Sequence, residues 1–250
     1  NYAWLLVMLP QGVFAQAVGT AAFPTFAEQT ARGEQAEMRG TLAATLRAVY
    51  SLSLPATVGL LVLGRPLVRL LFERGAFEAT STEAVAWALA FYAVGLVGHA
   101  GLEIIARAFY ALHDTLTPVW AGGLAMGFNV VLSLVLPGLF GRAGWPAHAG
   151  LALANSVATL VELLVLRVLI RRRMNGLEDS RALVTFAKSG LAALVMGGVL
   201  LGWQAALSDA GTLLLGGGGV VLGALVYVVV ALLLRLEELR AVIRLLPHAR

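Results

Sequence analysis

Apolar residues in this chain arrive in long blocks, and the polar residues fall between them. Seven blocks are long enough to cross a bilayer as helices, at about 2–27, 45–63, 84–105, 118–137, 149–170, 184–204 and 212–234. About 20 helical residues span the hydrocarbon layer, so a run of 18 or more with few charges reads as a membrane span. The first block is broken by Pro10 with Gly12 and again by Pro24, and the second contains Pro55. Proline inside a span predicts a kink or a discontinuous helix, tolerated where neighbours satisfy the freed carbonyls. The expected fold class is all-α, a polytopic transmembrane helical bundle over residues 1–234.

The stretches between blocks have their own patterns. "EQTARGEQAEMRGTLAA" (28–44) is polar, carries both signs of charge and reads as a connection. "GRPLVRLLFERGAFEATS" (64–81) is too charged to cross. Arg65, Arg69 and Glu73 recur at helical spacing there, which predicts a short interfacial helix stopped by Gly75. The last stretch, "RLEELRAVIRLLPHAR", sets Arg235, Arg240 and Arg244 against Leu236, Leu239, Ile243 and Leu246. That pattern predicts an amphipathic cytoplasmic tail over 235–250, with a soluble tail helix as the plainer reading.

Composition strengthens the membrane reading. Apolar residues make up 59% and charged residues 13% of the chain, against roughly 25% charged in soluble domains. A soluble protein with this sequence would need about seven long apolar helices almost without polar outer faces. The net charge of +4 would hint at nucleic acid in a soluble protein. Here the basic residues serve topology instead, and no nucleic-acid partner is expected. Alternate connecting regions hold fourteen and four basic residues, a bias that places the C-terminus in the cytoplasm. Seven spans then place Asn1 outside. "NYAWLLVMLPQG" has neither the basic n-region nor the cleavage site of a signal peptide, so the chain reads as the C-terminal part of something longer.

Polar groups at membrane depth are the best pointers to function, because they are expensive there. Glu103 and Arg107 stand four apart near the cytoplasmic end of the third span. They form either an i, i+4 ion pair or, with Arg107 turned to a cavity, a contact for an anionic headgroup. Glu162 lies deep in the fifth span, where a carboxylate faces a bundle interior, and with Glu103 and Arg107 it is a candidate for substrate contact or coupling. Asn129, Asn155 and Gln11 read as helix-to-helix hydrogen bonds, with Asn129 and Gln11 also kept as substrate-contact candidates. "AVGLVGHAG" (93–101) and "GGLAMG" (122–127) permit helices to approach closely, and Gly12, Gly19, Gly122 and Asn129 are expected on surfaces that face a partner.

Enzyme chemistry does not assemble. The four histidines, His99, His113, His148 and His248, are scattered, and no cysteine is present. There is no HExxH, and "GGGG" (216–219) lacks the Lys and Ser/Thr of a phosphate-gripping loop. No cofactor and no metal are expected. Carrier action is the stronger class, with a scattered-site membrane enzyme or a membrane scaffold as its competitors.

Four ordered phrases carry a family likeness: "LPQGVFAQAVGTAAFPTFAEQ" (9–29), "LPATVGLLVLGRPLVRLLFERGAF" (54–77), "ARAFYALHDTLTPV" (106–119) and "HAGLALANSVATLVELLVL" (148–166). Together they resemble the MurJ/MviN family of lipid II flippases, within the multidrug/oligosaccharidyl-lipid/polysaccharide exporter superfamily. The resemblance implies the second lobe of a 14-span protein of the bacterial cytoplasmic membrane that alternates between inward- and outward-open forms. It implies as partners an undecaprenyl-diphosphate-linked peptidoglycan precursor, membrane lipids and an N-terminal lobe. An exporter of another polyprenyl-linked glycan also fits. Relatives carry an Asp-Arg pair where this chain has Trp4 and Leu5, and a lysine where it has Glu103, so Arg107 is expected to supply the missing positive charge. Within "ARAFYALHDTLTPV", Phe109 and Tyr110 suit the membrane interface, and Asp114, Thr115 or Thr117 is expected to cap the span entered through Pro118.

Overall fold

A computed structural model of the chain describes residues 2–75, 77–177, 179–208, 210–236 and 238. Seven of its helices are long and apolar enough to cross a membrane. We number them α1 (Tyr2–Ala31), α2 (Gln35–Phe72), α3 (Ala79–Ala111), α4 (Leu116–Arg142), α5 (Ala147–Arg173), α6 (Asp179–Ala206) and α7 (Leu214–Leu233). The expected all-α bundle of seven spans is therefore present. Most of the expected amphipathic tail, 239–250, lies outside the described residues.

Two expectations about α2 are corrected. The polar stretch 28–44 is mostly helical, and only a tight turn at 32–34 separates α1 from α2. The interfacial helix expected after residue 64 is instead the last two turns of α2, which runs unbroken for 38 residues. Its charges do not force a break because they lie at the outer end. Arg65 pairs with Glu83 at 3.1 Å and Arg69 with Glu73 at 3.3 Å, all with access to water.

Two prolines sit inside α2, and each lacks the N–H that would serve the carbonyl four residues earlier. Side chains from distant helices take over both duties. Pro55 leaves the carbonyl of Ser51 free, and the Tyr227 hydroxyl of α7 donates to it. Pro66 frees the carbonyl of Val62, and Gln204 Nε2 of α6 donates to it at 2.8 Å. The same helix breakers thus become the points where α6 and α7 are fastened to α2. In α1, Pro10 is followed by a π-helical segment, Gln11–Gln16, rather than by a gap, and Pro24 lies within continuous helix.

α3 lies at the centre, packed on α1, α2 and α5. Its "AVGLVGHAG" stripe faces α5 so closely that side chains have no room. A Cβ added to Gly95 would stand 2.5 Å from Ser156 Oγ and 2.9 Å from Ser156 Cα. Ser156, freed of crowding by that glycine, donates across the seam to the Phe91 carbonyl at 2.7 Å. Gly150 makes a similar crossing between α5 and α4, against the backbone of Leu136 and Pro137. The expectation of close helix approach at the first stripe holds. On the second, Gly123 and Gly127 meet nothing.

Five of the seven spans, all but α2 and α6, end in the same way. Gly33, His113, Gly144, Asn175 and Arg235 all take positive φ, and the residue after each donates to a carbonyl five residues back. This closes the helix by a left-handed cap that satisfies its last carbonyls. The outer ends also carry aromatic clusters, Tyr2 with Phe72 and Phe77, and Trp87 with Phe91, Phe140 and Trp145. Such rings suit the membrane–water boundary. Trp120, Leu124 and Leu134 of α4 remain more than two-thirds exposed, as a bilayer-facing surface requires.

Candidate functional site

The phrase that closes α3 and opens α4 is built from local capping. The Asp114 carboxylate accepts from the Thr117 N–H at 3.0 Å through Oδ1 and from the Thr117 hydroxyl at 2.9 Å through Oδ2. Arg173, at the end of α5, comes within 3.7 Å of the same carboxylate. The Thr117 N–H bond, with help from the hydroxyl and Arg173, holds the Asp114 carboxyl below its ordinary value of 3.8. Of the cap candidates, Asp114 therefore does the work, and Thr115 makes no side-chain cap.

One turn earlier in α3, Arg107 and Glu103 form an ion pair at 2.6 Å. Arg107 Nη1 also donates to the Glu103 carbonyl at 3.0 Å, and Nη2 reaches Thr20 Oγ1 of α1 at 3.4 Å. The guanidinium lies flat over Gly19, where a Cβ would stand 2.7 Å from Nη1. Gly19 is thus not a surface awaiting a partner. It is the gap in α1 that lets the arginine fold across. Gly122 plays a related part in α4, since a Cβ there would come within 3.2 Å of Glu162 Oε1.

Gln11, Glu103 and Glu162 line one cavity of about 280 Å³, walled by α1, α3, α4 and α5. Arg107 is paired with Glu103 but is not itself among the lining residues. Among the described residues Gln11 Oε1 is buried there without a hydrogen-bond partner, so within them it does not make the helix-to-helix bond the sequence suggested. Glu162 makes no hydrogen bond or ion pair among the described residues. The structure adds His99, Tyr110, Pro118 and Val119 to the lining. Asn129 is not part of this group: its Oδ1 accepts from Ser133 within α4 at 3.0 Å. Asn155 does bond between helices as expected, its Oδ1 lying 3.2 Å from His99 Nε2. His99 also meets Thr159 at 3.4 Å and the Trp4 ring edge-on at 5.2 Å. The Trp4 indole is thus packed on the histidine ring, while Leu5 is half exposed.

A second cavity has the opposite chemistry. This groove, about 510 Å³, runs between α1, α2, α6 and α7 and is lined almost wholly by apolar side chains, Leu9, Pro10 and Phe14 of α1 among them. Adjacent residues, Pro10 and Gln11, therefore face different cavities. α1 is the wall between a polar chamber and an apolar one, and its π-helical segment begins where the two meet. No sequence signal pairs these chambers, because the groove needs α6 and α7 packed on α2 so that they face α1 across it.

A family model described as "Lipid II flippase MurJ" matches residues 1–216. The chain is 32% identical over 235 residues to a "Probable lipid II flippase MurJ" of Rhizobium tropici, covering 92% of this chain and 43% of the relative. It is 31% identical over 253 residues to a protein of the same description from Vibrio cholerae serotype O1, covering 96% of this chain and 46% of the relative. A solved structure described as "Lipid II flippase MurJ, inward closed conformation" shares the fold with a TM-score of 0.76 at 24% identity, over 94% of this chain and 46% of that one. The chain spans a little under half the length of these relatives. With its seven spans, this is a multi-pass inner-membrane protein.

Proposed function

The chain belongs to the MurJ family of lipid II flippases, and from that premise we propose that it forms one lobe of a carrier that moves a lipid-linked peptidoglycan precursor across the membrane. The observation that carries this reading is the double-sided wall of α1. A substrate with a long polyprenyl tail and a charged, sugar-bearing head needs an apolar track beside a polar chamber, and Pro10 and Gln11 face one of each. The tail follows the groove between α1, α2, α6 and α7. The head meets Gln11, Glu162 and Arg107.

Arg107 is the group that suits diphosphate, because a guanidinium presents two parallel N–H donors to phosphate oxygens. In the closed pair its charge is satisfied by Glu103. An arriving diphosphate displaces that carboxylate, which turns toward the cavity it already lines. Glu103 thus holds the arginine in place between substrates. The relatives' greater length supports a second lobe, and the exposed faces of α1 and α4 are where it would close the polar chamber. Movement by such a carrier is a change of access rather than a bond-making step, so no enzymatic turnover is involved.

Gly59 lines the groove, and a Cβ there meets nothing within 4 Å. Gly59→Trp therefore obstructs the track without a clash at its base. In proteoliposomes of the protein carrying this chain, it should slow leaflet exchange of a long-tailed precursor more than that of a short-tailed analogue. Unchanged exchange of the long-tailed substrate removes the groove from the path. Tight binding of precursor with no exchange in the unmodified protein would make it a scaffold.

A further inference from the structure

The polar chamber holds one acid that no base among the described residues answers. Two carboxylates line it, Glu103 and Glu162, and Arg107 pairs with Glu103. We propose that Glu162 seats a primary ammonium group on the substrate's head, so that the carrier selects heads bearing an amine as well as a diphosphate. This deepens the reading under Proposed function and rests on it. Among the described residues Glu162 makes no hydrogen bond or ion pair. α4, packed beside it, carries no charged side chain short of Arg142 at its outer end, and it sets the bare backbone of Gly122 against Glu162 Oε1. His99 of α3 is occupied by Asn155 and Thr159 through Nε2. Arg167, five residues farther along α5, is engaged elsewhere.

Packing fixes where that acid stands. Across the α3–α5 seam Gly98 meets Leu160 and Gly101 meets Leu163, so Glu162 lies level with Gly101 and within one turn of Glu103. It is on the outer-leaflet side of Arg107. When a diphosphate takes the guanidinium, the chamber holds two carboxylates and a diphosphate against that one cation. Repulsion in a partly desolvated cavity then works against loading, unless the head brings a cation of its own. A primary amine supplies one, with N–H donors for a carboxylate whose lone pairs are unused. Its place is beyond the diphosphate, on the sugar-bearing side of the head. The head is thus read at two points, the phosphates by Arg107 and the amine by Glu162.

The test is binding to the protein carrying this chain, in detergent, of two polyprenyl-diphosphate-linked glycopeptides that differ in one amine, free or acetylated. The free amine should bind roughly tenfold more tightly. Glu162→Gln, close in shape, should bring the two affinities together, and Glu162→Asp should keep part of the preference. Arg107→Ala should weaken both ligands and leave the preference in place. A merely structural Glu162 would instead move both affinities alike on substitution. Equal binding of the two ligands by the parent overturns the proposal, and that comparison needs no variant to fold. A preference that survives Glu162→Gln overturns it as well. Recovery of the acetylated ligand's affinity by millimolar sodium would give the acid to an inorganic cation and overturn it too. If neither ligand binds more tightly than the free polyprenol, the transport reading falls and the proposal with it. Equal binding well above the polyprenol removes the proposal alone.

Discussion

The helices are joined by two different kinds of chemistry. α3 and α5 meet through small residues, with Gly95 pressed to the backbone of Ser156 and nothing left between them. α6 and α7 pack on α2 through small residues too, Gly197 against Val58 and Gly219 against Leu63, and add two polar fastenings, Gln204 and Tyr227, each on a carbonyl that a proline has freed. In a bilayer, close packing and satisfied polar groups replace the hydrophobic drive between helices. The first join leaves no space at Gly95 and opens onto the polar cavity only farther along the two helices. The second is packed as well, but it carries the polar fastenings and borders the apolar groove on the side that faces α1. A carrier needs both: a body that keeps its shape and a seam with room for a tail.

The largest effect should come from the dense seam. Gly95→Leu places a side chain where even a Cβ is 2.9 Å from the Ser156 backbone, and should cost at least about 3 kcal/mol, seen as loss of the folded protein in detergent unfolding. Gly123→Ala, whose Cβ meets nothing within 4 Å, should instead leave stability unchanged or raise it by up to about 1 kcal/mol. Equal effects of the two changes would contradict the account of the seam.

The point fastenings should yield smaller, conditional effects. Tyr227→Phe should cost about 1–2 kcal/mol, because it strands a buried carbonyl. The diagnostic step is to repeat it in Pro55→Ala, where residue 55 regains an N–H for Ser51. Tyr227→Phe should then cost little, and Gln204→Leu should behave likewise with Pro66→Ala. Additive losses in these cycles would show that the hydroxyl and amide serve other partners.

Smaller still is the α4 cap. Asp114→Ala should cost about 1 kcal/mol at neutral pH. The folded carboxyl is held below 3.8, so its contribution is present above that value and is lost as pH falls through the lower folded value. Parent and variant should therefore converge in acid, in unfolding measured at a series of pH values. A gap that persists there would assign the loss to packing rather than to the cap.

Legibility in the sequence followed the distance over which each cause acts. The spans were readable because hydropathy is a property of consecutive residues. The Glu103–Arg107 pair was readable because helical neighbours four apart must meet. Arg65 and Arg69 misled, since charges beyond the membrane surface can extend a helix as easily as end it. The partners of Pro55 and Pro66 left no local trace, being 176 and 142 residues from the carbonyls they serve. His113 and Arg235 end helices in a conformation usually marked by glycine, so neither announces itself. The meeting of Gln11 with Glu162 required the whole bundle.

The central claim is that the polar side of α1 receives the charged head of a lipid-linked substrate through Arg107. The most direct measurement is leaflet exchange of a polyprenyl-diphosphate-linked precursor in proteoliposomes of the protein carrying this chain, for Arg107→Ala, Arg107→Lys and Glu103→Gln. Loss of a charged hydrogen-bonding group should slow exchange by roughly ten- to a hundredfold in Arg107→Ala, less in Arg107→Lys, and not at all in Glu103→Gln, with all three inserted at normal levels. Exchange at the parent rate in Arg107→Ala would contradict the account and leave the arginine as a partner of Glu103 alone.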